Sequence, residues 1–295
     1  MNARIHTERL ANPDGDLVHF LDAVLRQETT TSIAEDSPLL FDAGEDVVRR
    51  VVRDAEGHVI SHAAARIAVY RSGMNAQSIA IIGAVATAPK YRNRGIATAV
   101  LHDLIDDLKG RGVAFVVLWS DVPGFYEPMG FTRTGVELLV EVPRRLHGVA
   151  KSTLVRPMDP DDLDLIAEIH AREPHVLVRS TSEWKRLVRI PRCDVYVLEA
   201  FGQVEAYGVV GKGHDLGGCL HEWGGPSRHL PSLVGGITAL RREAALWVMS
   251  APWRRDALAP FAAMGLEVHE GVLGMVKALH AEIPKDLYLF GLDSN

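Results

Sequence analysis

The sequence has 295 residues, with 32 Lys+Arg against 38 Asp+Glu, a net charge of -6, 47% hydrophobic and 24% charged residues. That balance belongs to a soluble globular chain long enough for two ordinary domains, and it excludes disorder. Residues 1–150 and 151–295 each hold 16 Lys+Arg and 19 Asp+Glu, so neither half is a basic nucleic-acid platform. The longest apolar run, Ile79 to Ala86, is too short to cross a bilayer, and Met1 to Glu8 contains no signal-peptide core. Cys193 and Cys219 are the only cysteines. Their separation has no metal-ligand spacing, and two reduced, buried thiols fit a cytoplasmic protein without a metal.

In chain order, Leu17, Phe20, Leu21, Val24 and Leu25 share one face of a helix predicted over Asp14 to Arg26. Val47 to Arg53 and Val59 to Tyr70 read as strands joined by the turn Asp54 to His58. Ser78 to Thr87 is apolar on both faces and reads as a central strand. Ile96, Val100, Leu101, Leu104, Ile105 and Leu108 give helical spacing that ends at Gly110. A buried strand from Val113 to Trp119, a short helix around Gly124 to Met129 and a strand from Val136 to Val142 complete this half.

The order then repeats. Helices are predicted over Asp159 to His170 and Ser182 to Val188, then a hairpin of Val195 to Glu199 with Val204 to Val210. A strand from Cys219 to Trp223, a helix from Leu233 to Ala245, a strand from Leu246 to Met249, a helix from Asp256 to Met264 and a strand from Val268 to Ala278 follow. Gly57-His58-Val59 resembles Gly202-Gln203-Val204, and Met129-Gly130-Phe131 resembles Met264-Gly265-Leu266. Their shared order reads as a tandem duplication, with a boundary near His147 to Ser152.

The most informative stretch runs from Val85 to Ala97. It leaves a strand, passes the basic turn Pro89-Lys90-Tyr91-Arg92-Asn93-Arg94-Gly95 and enters a helix. Free N–H groups at a helix start, a glycine that admits close backbone approach and two flanking arginines suit a pyrophosphate. A plain basic surface turn is the alternative reading. The Arg-x-x-Gly-x-Ala pattern of Arg92, Gly95 and Ala97, followed by Phe125-Tyr126-Glu127-Pro128-Met129-Gly130-Phe131, resembles the GCN5-related N-acetyltransferase (GNAT) superfamily over about residues 40–142.

That resemblance implies an α/β (α+β) fold of two tandem GNAT-like domains, 1–148 and 149–295. Each would hold a mixed, mostly antiparallel sheet flanked by helices. It implies acetyl-CoA as co-substrate, with Arg92, Asn93, Arg94, Gly95, Ile96, Ala97 and Thr98 at the pyrophosphate. The backbone of Val85, Ala86 and Thr87 would pair with the pantetheine arm like an added strand. The reaction implied is direct attack of an amine, from a small molecule or a peptide, on the thioester. Tyr126 would protonate the departing thiolate, with a buried packing role as the alternative.

The general base is open. Ile79 to Thr87 contains no acid. Asp121 is one candidate, although Ser120 and Asp121 also suit a helix N-cap. Glu28, Glu35 and Asp36 follow the first helix, in the region that shapes the acceptor pocket in this family. His62 lies on the neighbouring strand, and either pairs with substrate or packs. The passage Ser120 to Tyr126 also resembles multi-acetylating aminoglycoside and lysine acetyltransferases, in which the C-terminus enters the active site. That resemblance adds the carboxylate of Asn295, although those proteins carry a further sterol-carrier-like domain.

In the second half Phe261 stands opposite Tyr126, and Gly224 to Ser232 lacks the Arg-x-x-Gly-x-Ala pattern. This half reads as a degenerate unit that supports the first and walls its cleft. His221 and Glu222 either face the acceptor or end a strand. An acyltransferase using another acyl-CoA or an O-acceptor, and a non-catalytic acyl-CoA sensor, are the competing functions. A monomer or homodimer without nucleic-acid or membrane partners is expected.

Overall fold

The computed structural model describes residues 5–27, 29–144 and 154–294. The chain order opens with β1 (Glu8–Arg9), α1 (Gly15–Leu25), α2 (Ile33–Asp36), β2 (Val47–Arg53), β3 (Val59–Ser72) and β4 (Asn75–Thr87). It continues with α3 (Ile96–Gly110), β5 (Phe115–Leu118), α4 (Pro123–Tyr126) and β6 (Thr132–Pro143). The second half supplies β7 (Val155–Pro157), α5 (Leu163–Ala171), β8 (His175–Leu177), α6 (Thr181–Leu187), β9 (Asp194–Ala200) and β10 (Gln203–Val210). Then come β11 (Cys219–Gly224), α7 (Leu230–Arg241), β12 (Ala245–Ser250), α8 (Arg255–Ala263) and β13 (Val268–Ala278).

The elements form where local chemistry favours them. Asp14 caps α1, its carboxylate accepting the Leu17 N–H at 2.8 Å. In α3, Val100, Leu101, Leu104, Ile105 and Leu108 are buried against the sheet. Each such side chain contributes about 1.5–3 kcal/mol on leaving water. β4 is buried on both faces from Ile79 to Ala84, as its continuous apolar sequence predicts.

Among the described residues thirteen strands join in one sheet, in the order β1-β2-β3-β4-β5-β13-β6-β12-β11-β10-β9-β7, with β8 pairing β3. All neighbours are antiparallel except β4 with β5 and β11 with β12. The two halves follow one plan, each with a parallel pair bridged by a helix (α3 in one, α7 in the other). The last strand of each half is exchanged. β13 pairs with β5 of the first half, β6 pairs with β12 of the second, and β6 and β13 pair with each other at the centre. The expected boundary near His147 to Ser152 lies outside the described residues.

After β13 the chain runs back as a strap. Leu287, Tyr288, Leu289 and Phe290 are buried against Tyr70, Ile79, Ile81, Phe115 and Val117 of the first half. Gly135, at a φ of +80°, makes room for it: a Cβ there would stand 3.0 Å from the Leu287 carbonyl oxygen. The sequence pattern predicts a last strand at Val268 to Ala278 and no element in this strap.

Candidate active site

The parallel ladder of β4 with β5 extends only through Ala80 with Val116 and Ile81 with Val117. Beyond it the strands separate. The register of β4 on β3 slips by one residue between His62 and Ala64, and Ala84 takes a left-handed φ of 50°. This bulge turns the backbone of β4 out of the ladder. The gap opens into a cavity of about 700 Å³, lined on one side by Ile82 to Val85 and on the other by Leu118 to Val122 and Tyr126. That volume suits a small organic ligand.

At the far end of β4, Asn93 and Gly95 both have left-handed backbones, with φ of 62° and 73°. Gly95 precedes α3 without a side-chain cap, and the N–H groups of Ile96, Ala97 and Thr98 find no acceptor among the described residues. Orphan donors at the positive end of a helix dipole form an anion cradle. Arg92, Asn93 and Arg94 are exposed beside it. Arg92 Nε donates to the Thr87 carbonyl at 3.1 Å, and the Arg94 guanidinium lies 5.5 Å from the Tyr91 ring centroid. Both arginines keep guanidinium donors available to a phosphate.

Tyr126 is buried edge-on between Phe125 and Phe131, with centroids 4.9 and 5.8 Å away. Burial pushes its phenol above the ordinary tyrosine range, and a hydrogen bond with Ser120 offsets part of that rise. The phenol therefore carries its proton at neutral pH, the state a donor needs. Ser120 also accepts the Val122 N–H at 3.1 Å, so it forms the turn into α4, while Asp121 is exposed and lines the cavity.

The cavity's remaining walls come from distant parts of the chain. Arg26 and Ile33 lie on the α1–α2 side, Glu137 on β6, Asp215 and Leu216 between β10 and β11, and Gly291 and Ser294 on the strap. Arg26 ties the two halves together here, pairing with Asp36 at 3.0 Å and Asp215 at 3.2 Å. Lys212 holds the strap, donating to the Gly291 carbonyl at 3.2 Å and Ser294 Oγ at 3.0 Å. Its ammonium is brought down to about 8 by burial. Burial pushes the Glu137 carboxyl up to about 7. The sequence pattern does not single out Arg26, Glu137 or Asp215. Glu137 and Glu141 both sit in the same apolar run, and only the fold distinguishes them.

The other expected site residues lie elsewhere. Glu35 caps its own short helix, accepting the Ser32 N–H at 3.1 Å. Asp36 is buried on Arg26 and also accepts the Thr31 hydroxyl at 3.2 Å. His62 is buried with Nδ1 2.7 Å from the Ala84 carbonyl, a contact that supports the bulge and needs the proton on Nδ1. His221 Nε2 is 3.0 Å from the Gly211 carbonyl. Glu222 is locked onto Arg179 and the Tyr207 hydroxyl. None of these five residues lines the cavity. Glu28 and Asn295 lie outside the described residues, although Ser294 brings the strap to the cavity wall.

Burial brings His62 and His221 down to about 4. Between the ordinary histidine value and 4, the unfolded chain takes up protons that the folded chain refuses. Stability should therefore fall with decreasing pH through that window, by up to about 1.4 kcal/mol per pH unit for each histidine. Glu137 acts oppositely, since its raised value favours the folded state at low pH. In chemical unfolding followed from pH 7 to 4, His62→Gln and His221→Gln should each flatten the acid limb. An unchanged slope in both variants would disprove this assignment.

The equivalent crevice in the second half is closed. Register places Trp223 where Ala84 stands in the first half, and its indole N–H donates to the Met249 carbonyl at 3.1 Å, bridging β11 to β12. Arg254 covers that ring at 4.4 Å. Phe261, opposite Tyr126, is fully buried. Arg228 and His229 both contact Glu205, at 3.4 and 2.7 Å.

Residues 16–134 match the family described as an acetyltransferase (GNAT) domain. A segment of 54 residues is 41% identical to GCN5-related N-acetyltransferase 1, chloroplastic, of Arabidopsis thaliana; it covers 18% of this chain and 27% of that relative. Solved structures that share the fold over 93% of the chain include the following three. A probable N-acyltransferase from Enterococcus faecalis V583 has a TM-score of 0.74 at 14% identity, with 73% of its chain covered. A GCN5-related N-acetyltransferase from Anabaena variabilis has a TM-score of 0.72 at 16% identity, also with 73% covered. Eis1 from Mycobacterium abscessus has a TM-score of 0.62 at 14% identity, with 74% covered. No helix among the described residues is long and apolar enough to cross a membrane.

Proposed function

We propose, from the premise that residues 16–134 are a domain of the GNAT acetyltransferase family, that this protein transfers an acetyl group from acetyl-CoA to an amine. The observation that carries this reading is a single arrangement on β4. Its bulged backbone at Ile82 to Val85, beyond the end of the ladder with β5, leads to the capless start of α3 at one end and faces Tyr126 across the cavity. An extended pantetheine arm suits the first feature, a pyrophosphate the second and a leaving thiolate the third.

The tandem division into 1–148 and 149–295 belongs to the same proposal. The first unit supplies the cofactor site and Tyr126. The second supports it structurally, contributing cavity wall through Asp215, Leu216 and the strap, while Trp223 blocks its own crevice. The acceptor is a small-molecule or peptide amine entering from the α1–α2 side.

The test is acyl-CoA thiol release measured against a panel of primary amines, with thermal unfolding alongside. Acetyl-CoA at about a hundred times its Kd should stabilise the fold by about 2.7 kcal/mol. Gly95→Val should weaken that binding at least tenfold, because φ is +73° there and the new side chain would occupy the cradle. Tight binding with no thiol release for any amine in the panel would instead indicate an acyl-CoA sensor. The absence of both stabilisation and release would overturn the reading entirely.

A further inference from the structure

We propose that the Glu137 carboxylate is the general base that takes a proton from the acceptor amine in the cavity shared with Tyr126. This rests on the acetyltransferase reading above and supplies the group missing from it. Three acids line the cavity among its described residues: Asp121, Glu137 and Asp215. Asp215 is paired with Arg26, and Asp121 is exposed at the mouth. The Glu137 carboxylate makes no hydrogen bond or ion pair with any described residue, and the residue is half-buried. Its register partner on β13 is Gly271, which places no side chain beside it. Its strand is the exchanged one, so the carboxylate reaches the first half's cavity from the seam between the two halves. A half-buried carboxylate on a cavity wall without a partner in the protein is placed to meet a ligand, and a cationic amine would supply that partner.

Burial shifts the neighbouring thiol and phenols away from neutrality. Cys219 of β11 is pushed up to about 12, and Tyr288 of the strap is raised far above its ordinary value. Tyr126 is raised by burial. Arg26 pairs with Asp36 and Asp215, and Asp121, Asp215, His269 and Glu270 stand on exposed positions around the site. A base near 7 matches the pH at which an ammonium must be relieved of a proton.

The proton balance is complete without a further reactant. Glu137 takes one proton from the ammonium, and the freed lone pair forms the C–N bond at the thioester carbonyl carbon. The C–S bond breaks, and sulfur takes the phenolic proton of Tyr126. The second nitrogen proton returns to the tyrosinate, and Glu137 releases its own proton to water.

The experiment compares the pH profile of kcat/KM for the full chain with those of Glu137→Gln and Glu137→Asp, using a lysine peptide and an alkyl diamine as acceptors. Wild type should show an ascending limb near pH 7. Glu137→Gln should lose at least tenfold at pH 7, lack that limb and recover toward pH 9.5, where free amine accumulates in solution. Its acetyl-CoA affinity, read by thermal shift, should not change, which also reports a folded variant. Glu137→Asp should keep the limb at a reduced rate. A Gln variant with wild-type rate and limb overturns the role of Glu137 alone. A wild-type chain that transfers to no amine overturns the acetyltransferase reading and this inference together.

Discussion

Replacing Arg179 by alanine is expected to cost about 3–5 kcal/mol of stability, the range seen when one member of a buried ion pair is removed. Its guanidinium is wholly buried and forked between two carboxylates. Nε and Nη2 donate to Asp293 at 2.8 Å, and Nη1 and Nη2 donate to Glu222 at 2.8 Å. The Trp184 ring lies 4.5 Å away. Glu222 is held well below the usual carboxylate range, chiefly by the Arg179 charge acting against burial. Without the arginine, Glu222 and Asp293 would be left as neighbouring buried acids, with Arg66 at 3.8 Å as a remaining charge near Asp293. Lysine should rescue little, because one ammonium cannot span both carboxylates in the plane of a fork. Thermal and urea unfolding of Arg179→Ala, Arg179→Lys and Arg179→Ala/Glu222→Gln/Asp293→Asn measure this directly. The triple variant should recover part of the loss. A single variant within 1 kcal/mol of wild type would show that the cluster contributes little. Asp293 also precedes Ser294 at the cavity wall, so activity should fall with the anchoring of the strap.

The second large effect is catalytic. Tyr126→Phe should lower turnover about a hundredfold, within the usual range for removal of a general acid. Phenylalanine keeps the ring, and therefore the edge-on contacts with Phe125 and Phe131, so the fold and acetyl-CoA affinity should hold. Only the hydroxyl and its hydrogen bond with Ser120 are removed. The signature is an equal fall in kcat and kcat/KM with an unchanged thermal shift by acetyl-CoA. Wild-type turnover in this variant would remove Tyr126 from the chemistry.

These two residues differ in how legible they were. Tyr126 stands in a local element, with the aromatic pair and the Met-Gly-Phe turn adjacent in sequence, so its neighbourhood is encoded within a few residues. Arg179 lies in a short polar stretch before α6, with no pattern that marks it. Its partners are 43 and 114 positions away. Glu222 shows the same limit from the other side. In sequence, His221-Glu222 is a pair of polar residues at the end of a strand, and only the fold shows that both are sealed into a buried network away from the cavity.

The elements themselves were largely legible. Helices at Gly15–Leu25 and Ile96–Gly110 and strands at Val47–Arg53 and Val268–Ala278 follow the apolar periodicity that predicts them. The short strands Glu8–Arg9, Val155–Pro157 and His175–Leu177 were not, because two or three residues are too few to display a period. At the bulge the left-handed residue is Ala84 itself and not the adjacent Gly83, so the local sequence does not mark the turn-out.

By itself the sequence determined the order of the longer strands and helices, the glycine turn at the start of α3 and the difference between Tyr126 and Phe261. All of these depend on residues close together in the chain, where backbone conformation and side-chain periodicity act directly. The tertiary structure alone decided that β6 and β13 change places, and that the strap returns to the first half. It also decided that Glu137, Asp215 and Ser294 meet Tyr126 around one cavity. Those outcomes depend on which apolar faces bury one another across more than a hundred residues, and that information does not reside in any local pattern.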